Sequence, residues 1–262
     1  MNICLFKPEE INQPLDLRDE RGQHIIKILH KKEGESFTAG IIGGQAGSAL
    51  ITKIEGSFKE GGKLYFNFKP ESDGKPLTKL KMIIGFPRPI QLKRLLRDIA
   101  GLGVCEVHLT GTELGEKSYM QSTLVEKGNA YKMLLDGTVQ AGSTHVPQLF
   151  LHKTLGECLE AVTGDGRMEG GRLLPDQDSN LLLALDNRRA SCSLTKTMEG
   201  SKVIMKKNLV AAIGSERGWT DKERDFLVEK GFTLCSMGER ILRTETAATV
   251  AGSIILSQLG LI

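Results

Sequence analysis

Over roughly the first 70 residues, apolar positions come in short runs broken by turns. Ile3–Phe6, Ser36–Ile42, Ala49–Ile54 and Lys63–Phe68 each predict a strand, and Gly34, Gly40, Gly43-Gly44, Gly47 and Gly61-Gly62 punctuate them. His24–His30 places Ile25, Ile26, Ile28 and Leu29 with helical spacing. A small β-barrel with one helix is the natural closure, because closing a sheet removes its edges. Pro70-Glu71-Ser72-Asp73-Gly74-Lys75-Pro76 predicts a linker by composition.

Beyond the linker the rhythm changes. Strands are expected at Leu80–Phe86, Val104–Thr110, Gln148–Leu151, Leu181–Leu185, Leu209–Ile213 and Phe232–Met237. Between and after them, helical patterns run over Ile90–Leu102, Tyr131–Ala141, Leu155–Ala161, Asp221–Lys230 and Thr246–Leu259. Strand alternating with helix predicts an α/β domain with a mostly parallel sheet flanked by helices.

The chain has 262 residues, enough for one or two domains with a substantial core. No apolar run reaches the ~18 residues of a membrane span, and the N-terminus lacks the pattern of a secretory signal. A cytoplasmic location is expected. The five cysteines (Cys4, Cys105, Cys158, Cys192, Cys235) are scattered and odd in number, which suits a reducing compartment. Cysteine and histidine spacings match no metal motif, so no metal is expected. Residues 1–74 hold ten basic and eleven acidic side chains, whereas the rest holds 25 and 21. The excess of positive charge therefore lies in the second part, which permits a polyanionic partner.

Two glycine loops stand at the ends of the last two strands: Ile213-Gly214-Ser215-Glu216-Arg217-Gly218-Trp219 and Met237-Gly238-Glu239-Arg240-Ile241-Leu242-Arg243-Thr244-Glu245-Thr246-Ala247. Glycine loops at adjacent strand ends expose backbone amides where open α/β sheets bind ligands. The second loop also sets Arg240, Arg243 and Glu245 among apolar and small residues, where charges need partners or a ligand. Its simplest structural reading is a helix start with Thr244 as N-cap.

The order of residues across both loops resembles the ribosomal RNA uridine N3-methyltransferase family of the SPOUT class. That family's first loop commonly reads Ile-Gly-Pro-Glu-Gly-Gly and its second Leu-Gly-x-Arg-Ile-Leu-Arg-x-Glu-Thr-Ala. Here the second matches from Gly238 to Ala247, with Met237 for Leu, while Ser215 and Arg217 depart from the first. The resemblance covers nearly the whole chain. It implies a PUA-like, RNA-binding β-barrel over 1–72 and a SPOUT methyltransferase domain over 75–262, whose mostly parallel sheet carries a trefoil knot. It further implies S-adenosylmethionine as cofactor, a uridine N3 of small-subunit ribosomal RNA as acceptor, and a homodimer.

Carried onto matching positions, the cofactor would be held by Leu185, Ile213, Gly214, Ser215, Glu216, Gly218, Met237, Gly238, Ile241, Leu242 and Thr244. Arg243 and Glu245 are the candidates for chemistry, because methylating a uracil nitrogen needs its proton removed and the resulting anion stabilised. A structural Arg–Glu pair is the alternative for those two. Glu216 reads either as a cofactor-loop carboxylate or as an anion at a helix N-terminus. Arg88, Lys93, Arg94 and Arg97 form a candidate RNA-binding face, with Lys27 in the first domain beside His24, His30, Lys31 and Lys32. A solvated face is the plainer reading of the helix charges. The altered Ser215-Glu216-Arg217 stretch leaves a second function open, a catalytically silent RNA-binding protein that keeps the fold.

Overall fold

The structure is a computed structural model, and it describes residues 2–122, 128–163, 168–169, 172–173, 180–199 and 208–262. The chain divides into two compact units, residues 1–77 with 135–146, and residues 78–134 with 147–262.

The first unit is a curled sheet of five strands: β1 (Cys4–Phe6), β2 (Leu15–Asp16), β3 (Ser36–Ile41), β4 (Ala46–Glu55) and β5 (Lys63–Ser72), in the order β1-β3-β4-β5-β2. β1 and β2 lie at the two ends of that order, so the sheet is a half-barrel. Alternation builds its core: Leu64 and Phe66 of β5 point in with Phe37 of β3, and the Phe66 ring lies 4.9 Å from that of Phe6 and 5.7 Å from that of Phe37. A short helix, α1 (Glu20–Gln23), runs directly into a π-helical turn over His24–Ile28. The expected linker is shorter than its composition suggests. Residues through Ser72 pair with β4, and the Gly74 carbonyl then accepts the Thr144 amide at 3.0 Å. Backbone pairing overrides the turn propensity of Pro70 and Ser72 there.

The second unit carries a seven-stranded, all-parallel sheet. Its strands are β6 (Leu80–Gly85), β7 (Glu106–Thr110), β8 (Gln148–His152), β11 (Asn180–Leu185), β12 (Cys192–Ser193), β13 (Asn208–Ile213) and β14 (Thr233–Ser236), in the order β12-β14-β11-β13-β6-β7-β8. A separate hairpin joins β9 (Met168–Glu169) to β10 (Arg172–Leu173). The continuous apolar runs Leu181–Leu185 and Leu209–Ile213 follow from burial on both faces.

Among the described residues, six α-helices belong wholly or partly to this unit: α2 (Pro89–Gly101), α3 (Asn129–Ala141), α4 (Leu155–Thr163), α5 (Leu194–Glu199), α6 (Asp221–Glu229) and α7 (Thr244–Gln258). Pro89 at the first helical position pre-sets φ for α2, and Leu92, Leu95, Leu96 and Ile99 form its buried stripe. Thr220 and Glu223 make a reciprocal cap on α6. α7 packs on β6, β13 and α2, with α5 alongside it, while β12 pairs outside β14. The C-terminal strand β14 therefore lies between β11 and β12, and β12 belongs to the stretch that joins β11 to β13; residues 200–207 of that stretch lie outside the described ones.

Candidate functional site

β6, β7 and β8 extend to one side of the sheet, and β13, β11 and β14 to the other. The order reverses between β6 and β13, and the loops that leave β11, β13 and β14 converge at the carboxyl ends of those three neighbouring strands. They enclose a cleft of about 330 Å3. All eleven residues expected to hold the cofactor line it: Leu185, Ile213, Gly214, Ser215, Glu216, Gly218, Met237, Gly238, Ile241, Leu242 and Thr244.

The first loop is a tight turn in which the Gly218 amide donates to the Ser215 carbonyl at 2.8 Å. Gly218 has a φ of +70°, but Gly214 does not share that conformation. What requires glycine at 214 is close approach, because a Cβ there would lie 2.9 Å from the Gly218 carbonyl carbon. Arg217 has an ordinary negative φ, so replacing glycine at this position brings no backbone strain. Its exposed side chain lies on the rim of the cleft.

In the second loop Gly238 sits at φ +107° with no atom within 4 Å of where its Cβ would stand. Gly238 lines the cleft. Ile241 is 83 % exposed, so it covers the cleft edge and takes no part in the core. Thr244 is not the N-cap. Arg243 is, without a side-chain capping bond, and the Thr244 hydroxyl instead donates to the Gly214 carbonyl at 3.3 Å, tying the two loops together.

Arg243 and Glu245 line a second cleft of about 310 Å3 with Arg88, Gln91, Glu216, Ile241 and Leu242. Glu216, Ile241 and Leu242 border both clefts. Among the described residues Arg243 and Glu245 make no ion pair with each other, so the alternative of a structural pair has no bond to support it. Glu216 is not at a helix N-terminus either, since α6 begins at Asp221; it pairs with Arg88 at 3.3 Å. The Tyr119 hydroxyl and the Glu216 carboxylate hold Arg88 more firmly cationic than usual. Lys93, Arg94 and Arg97 are exposed on α2 opposite its buried stripe, and Arg97 also reaches Met133 Sδ at 3.4 Å. Lys27 belongs to the other unit, where its ammonium lies 4.1 Å above the Phe58 ring.

The sequence reading missed a buried pair behind the cleft wall. Arg224 Nε donates to Asp186 Oδ1 at 2.9 Å, and both side chains are 2 % exposed. Asp186 Oδ2 also accepts the amides of Arg188 and Arg189, so one carboxylate shapes the turn that leaves β11. Trp219 closes the same wall by donating to the Leu185 carbonyl at 3.1 Å. Breaking a buried pair costs about 3–5 kcal/mol when one partner is left unpaired. Asp221 remains on the Arg224 guanidinium at 3.0 Å, so Asp186→Ala is expected at the lower end, about 3 kcal/mol. Chemical denaturation tests this, and a loss below about 1 kcal/mol contradicts it.

A parallel sheet with its C-terminal strand between β11 and β12, and two glycine loops converging on one cleft, is the arrangement expected of a methyltransferase of the SPOUT class. An RNA methyltransferase domain model matches residues 73–256. "Ribosomal RNA small subunit methyltransferase E" from Treponema pallidum (strain Nichols) is 39% identical over 261 residues, covering 98% of this chain and 91% of that protein. "Ribosomal RNA small subunit methyltransferase E 1" from Borreliella burgdorferi is 31% identical, covering 97% of each. The chain belongs to the RNA methyltransferase family of these E-type ribosomal RNA enzymes. In fold it is similar to the Neisseria gonorrhoeae member bound to S-adenosyl methionine, with TM-score 0.73, 22% identity and coverage of 98% of this chain and 97% of that one. A Legionella pneumophila methyltransferase in complex with SAM gives TM-score 0.70 at 20% identity, with coverage of 98% and 97%.

Proposed function

We propose that this protein methylates N3 of a uridine in small-subunit ribosomal RNA with S-adenosylmethionine, as a homodimer in the cytoplasm. The observation that carries the reading is the glycine-walled cleft. A backbone cradle without a Cβ at 238, apolar walls at Leu185, Ile213 and Leu242, and a volume within the usual range for small ligands suit a nucleoside cofactor. Leu185, Ile213, Gly214, Gly218, Met237 and Gly238 would hold it, with Ser215, Glu216, Ile241, Leu242 and Thr244 at the borders. When bound, S-adenosylmethionine supplies an electrophilic methyl group.

The chain's own residues supply the rest. Arg243 faces the neighbouring cleft and stabilises the uracil anion. Glu245, half-buried beside it, takes the N3 proton directly or through water. Arg88 is positioned by Tyr119 and Glu216 on the border of that cleft, where it meets a phosphate. Ile90, at 71 %, and Ile241, at 83 %, are exposed apolar residues that a dimer would cover. Among the described residues no helix is long and apolar enough to cross a membrane.

The test is methyl transfer from labelled cofactor to small-subunit RNA and to assembled particles, followed by nucleoside analysis. N3-methyluridine is expected, and a methyl group on any other atom overturns the assignment. RNA binding has its own check. Lys93, Arg94 and Arg97 replaced together by Gln should weaken RNA binding and reduce its salt slope by about 0.7–0.9 for each phosphate left without its cation. Cofactor affinity should stay unchanged. An unchanged salt slope makes this face merely solvated.

A further inference from the structure

At the opposite edge of the parallel sheet, away from the glycine loops, lies a cluster that methyl transfer does not use. Glu106, His108 and Thr110 share one face of β7, and β8 brings His152 opposite Thr110. α4 lays Cys158 over the same face. The ligand atoms of His108, His152 and Cys158 all lie within 4.8 Å of one another. We propose that His108, His152 and Cys158 form a zinc site that clamps β7, the edge strand β8 and α4 together.

The hydrogen bonds around His108 fix its tautomer and the direction of its free nitrogen. Glu106 Oε2 lies 3.0 Å from His108 Nε2 and 3.1 Å from Lys81 Nζ. A carboxylate only accepts, so His108 Nε2 carries the proton. In neutral His108 the Nδ1 lone pair then accepts from His152 Nε2–H at 3.0 Å, and a metal ion would take the place of that proton. A carboxylate that fixes the tautomer of a histidine and turns its free nitrogen inward is the usual second layer of a zinc site. Phe150 stacks on the His108 ring at 4.7 Å and 13°, which holds its plane.

The environment suits a cation of borderline softness. Glu106 is held by His108 and Lys81 together. One thiolate and one nearby carboxylate balance the charge of Zn2+, with Lys81 and Glu157 as the other charged groups facing the cluster. Binding displaces the Cys158 thiol proton to solvent. Two imidazoles and a thiolate select zinc over magnesium or calcium.

Tetrahedral zinc with bonds of about 2.0–2.3 Å places its ligand atoms roughly 3.3–3.6 Å apart. Closing on a metal therefore needs the histidine nitrogens to part slightly from 3.0 Å and Cys158 to approach by at most about 1 Å. His152 is half-buried on an edge strand, and water would take the fourth position. Positions 108, 152 and 158 form no compact sequence motif, so the expectation of no metal could not anticipate the cluster.

The test uses full-length protein freed of metal with a chelator. Cobalt(II) chloride serves as the spectroscopic stand-in, followed by zinc chloride in competition. One equivalent of cobalt should give tetrahedral visible bands and a thiolate-to-cobalt charge-transfer band, both displaced by zinc, and zinc should raise Tm. Cys158→Ser should lose the charge-transfer band. Glu106→Gln should keep it but bind about 10–100-fold more weakly. If Cys158→Ser does not fold, His152→Ala on the edge strand should lose the tetrahedral bands. The proposal is overturned by binding without a thiolate band, by a band that survives in folded Cys158→Ser, or by a Tm that stoichiometric zinc leaves unmoved.

Discussion

Arg243→Ala should slow single-turnover methyl transfer by about 10²–10³-fold while changing cofactor affinity little, the range found when one group that stabilises a developing anion is removed. The guanidinium's proposed partner, the uracil N3 anion, gains its charge only as the proton leaves. An interaction made chiefly in the transition state lowers kcat and kcat/KM together. Arg243 is exposed, and among the described residues it makes no ion pair with Glu245, so its removal should leave Tm near that of the parent. Glu245→Gln completes the test. If Glu245 takes the proton, the Gln enzyme recovers activity as pH rises and the base ionises unaided. A structural Glu245 would instead show a lower Tm and no recovery at high pH. Wild-type rate and stability in the Gln variant would remove both roles.

Gly238→Val should eliminate measurable binding of S-adenosylmethionine. Two effects act in the same direction. At φ +107° a β-branched residue is a steric outlier, which shifts the loop, and its side chain enters space that no other atom of the chain fills. The backbone strain costs about 1–3 kcal/mol, so Tm should fall by several degrees without loss of the fold. Tm and calorimetry together separate the outcomes: a folded Gly238→Val protein that binds with parental affinity removes this loop from the site.

The parts of the site that sequence made legible are contiguous in the chain. Gly214–Gly218 and Gly238–Thr244 each build their piece of the cleft from backbone, and backbone geometry is encoded locally by glycine. The long apolar runs Leu181–Leu185 and Leu209–Ile213 likewise announced strands buried on both faces. What stayed hidden depends on pairing across the fold. Arg224 lies in the charged run Asp221-Lys222-Glu223-Arg224-Asp225, which reads as a solvated helix face, yet its buried partner Asp186 is 38 residues away. Thr244 has the composition of a cap, and only the approach of the first loop reveals that its hydroxyl is bonded to Gly214. β2 has two residues and owes its existence to the edge of β5, which no local pattern encodes. The role of Arg217 was open in sequence; its negative φ shows how a glycine position accepts a long cation without distorting the turn.

Isothermal titration calorimetry of the full chain with S-adenosylmethionine tests the central claim most directly. The account predicts saturable binding at one site per chain, with the heat abolished in Gly238→Val and retained in Arg243→Ala. A folded parent protein that gives no binding heat at any temperature tried, yet still binds ribosomal RNA, would contradict it and leave a silent RNA-binding protein in its place.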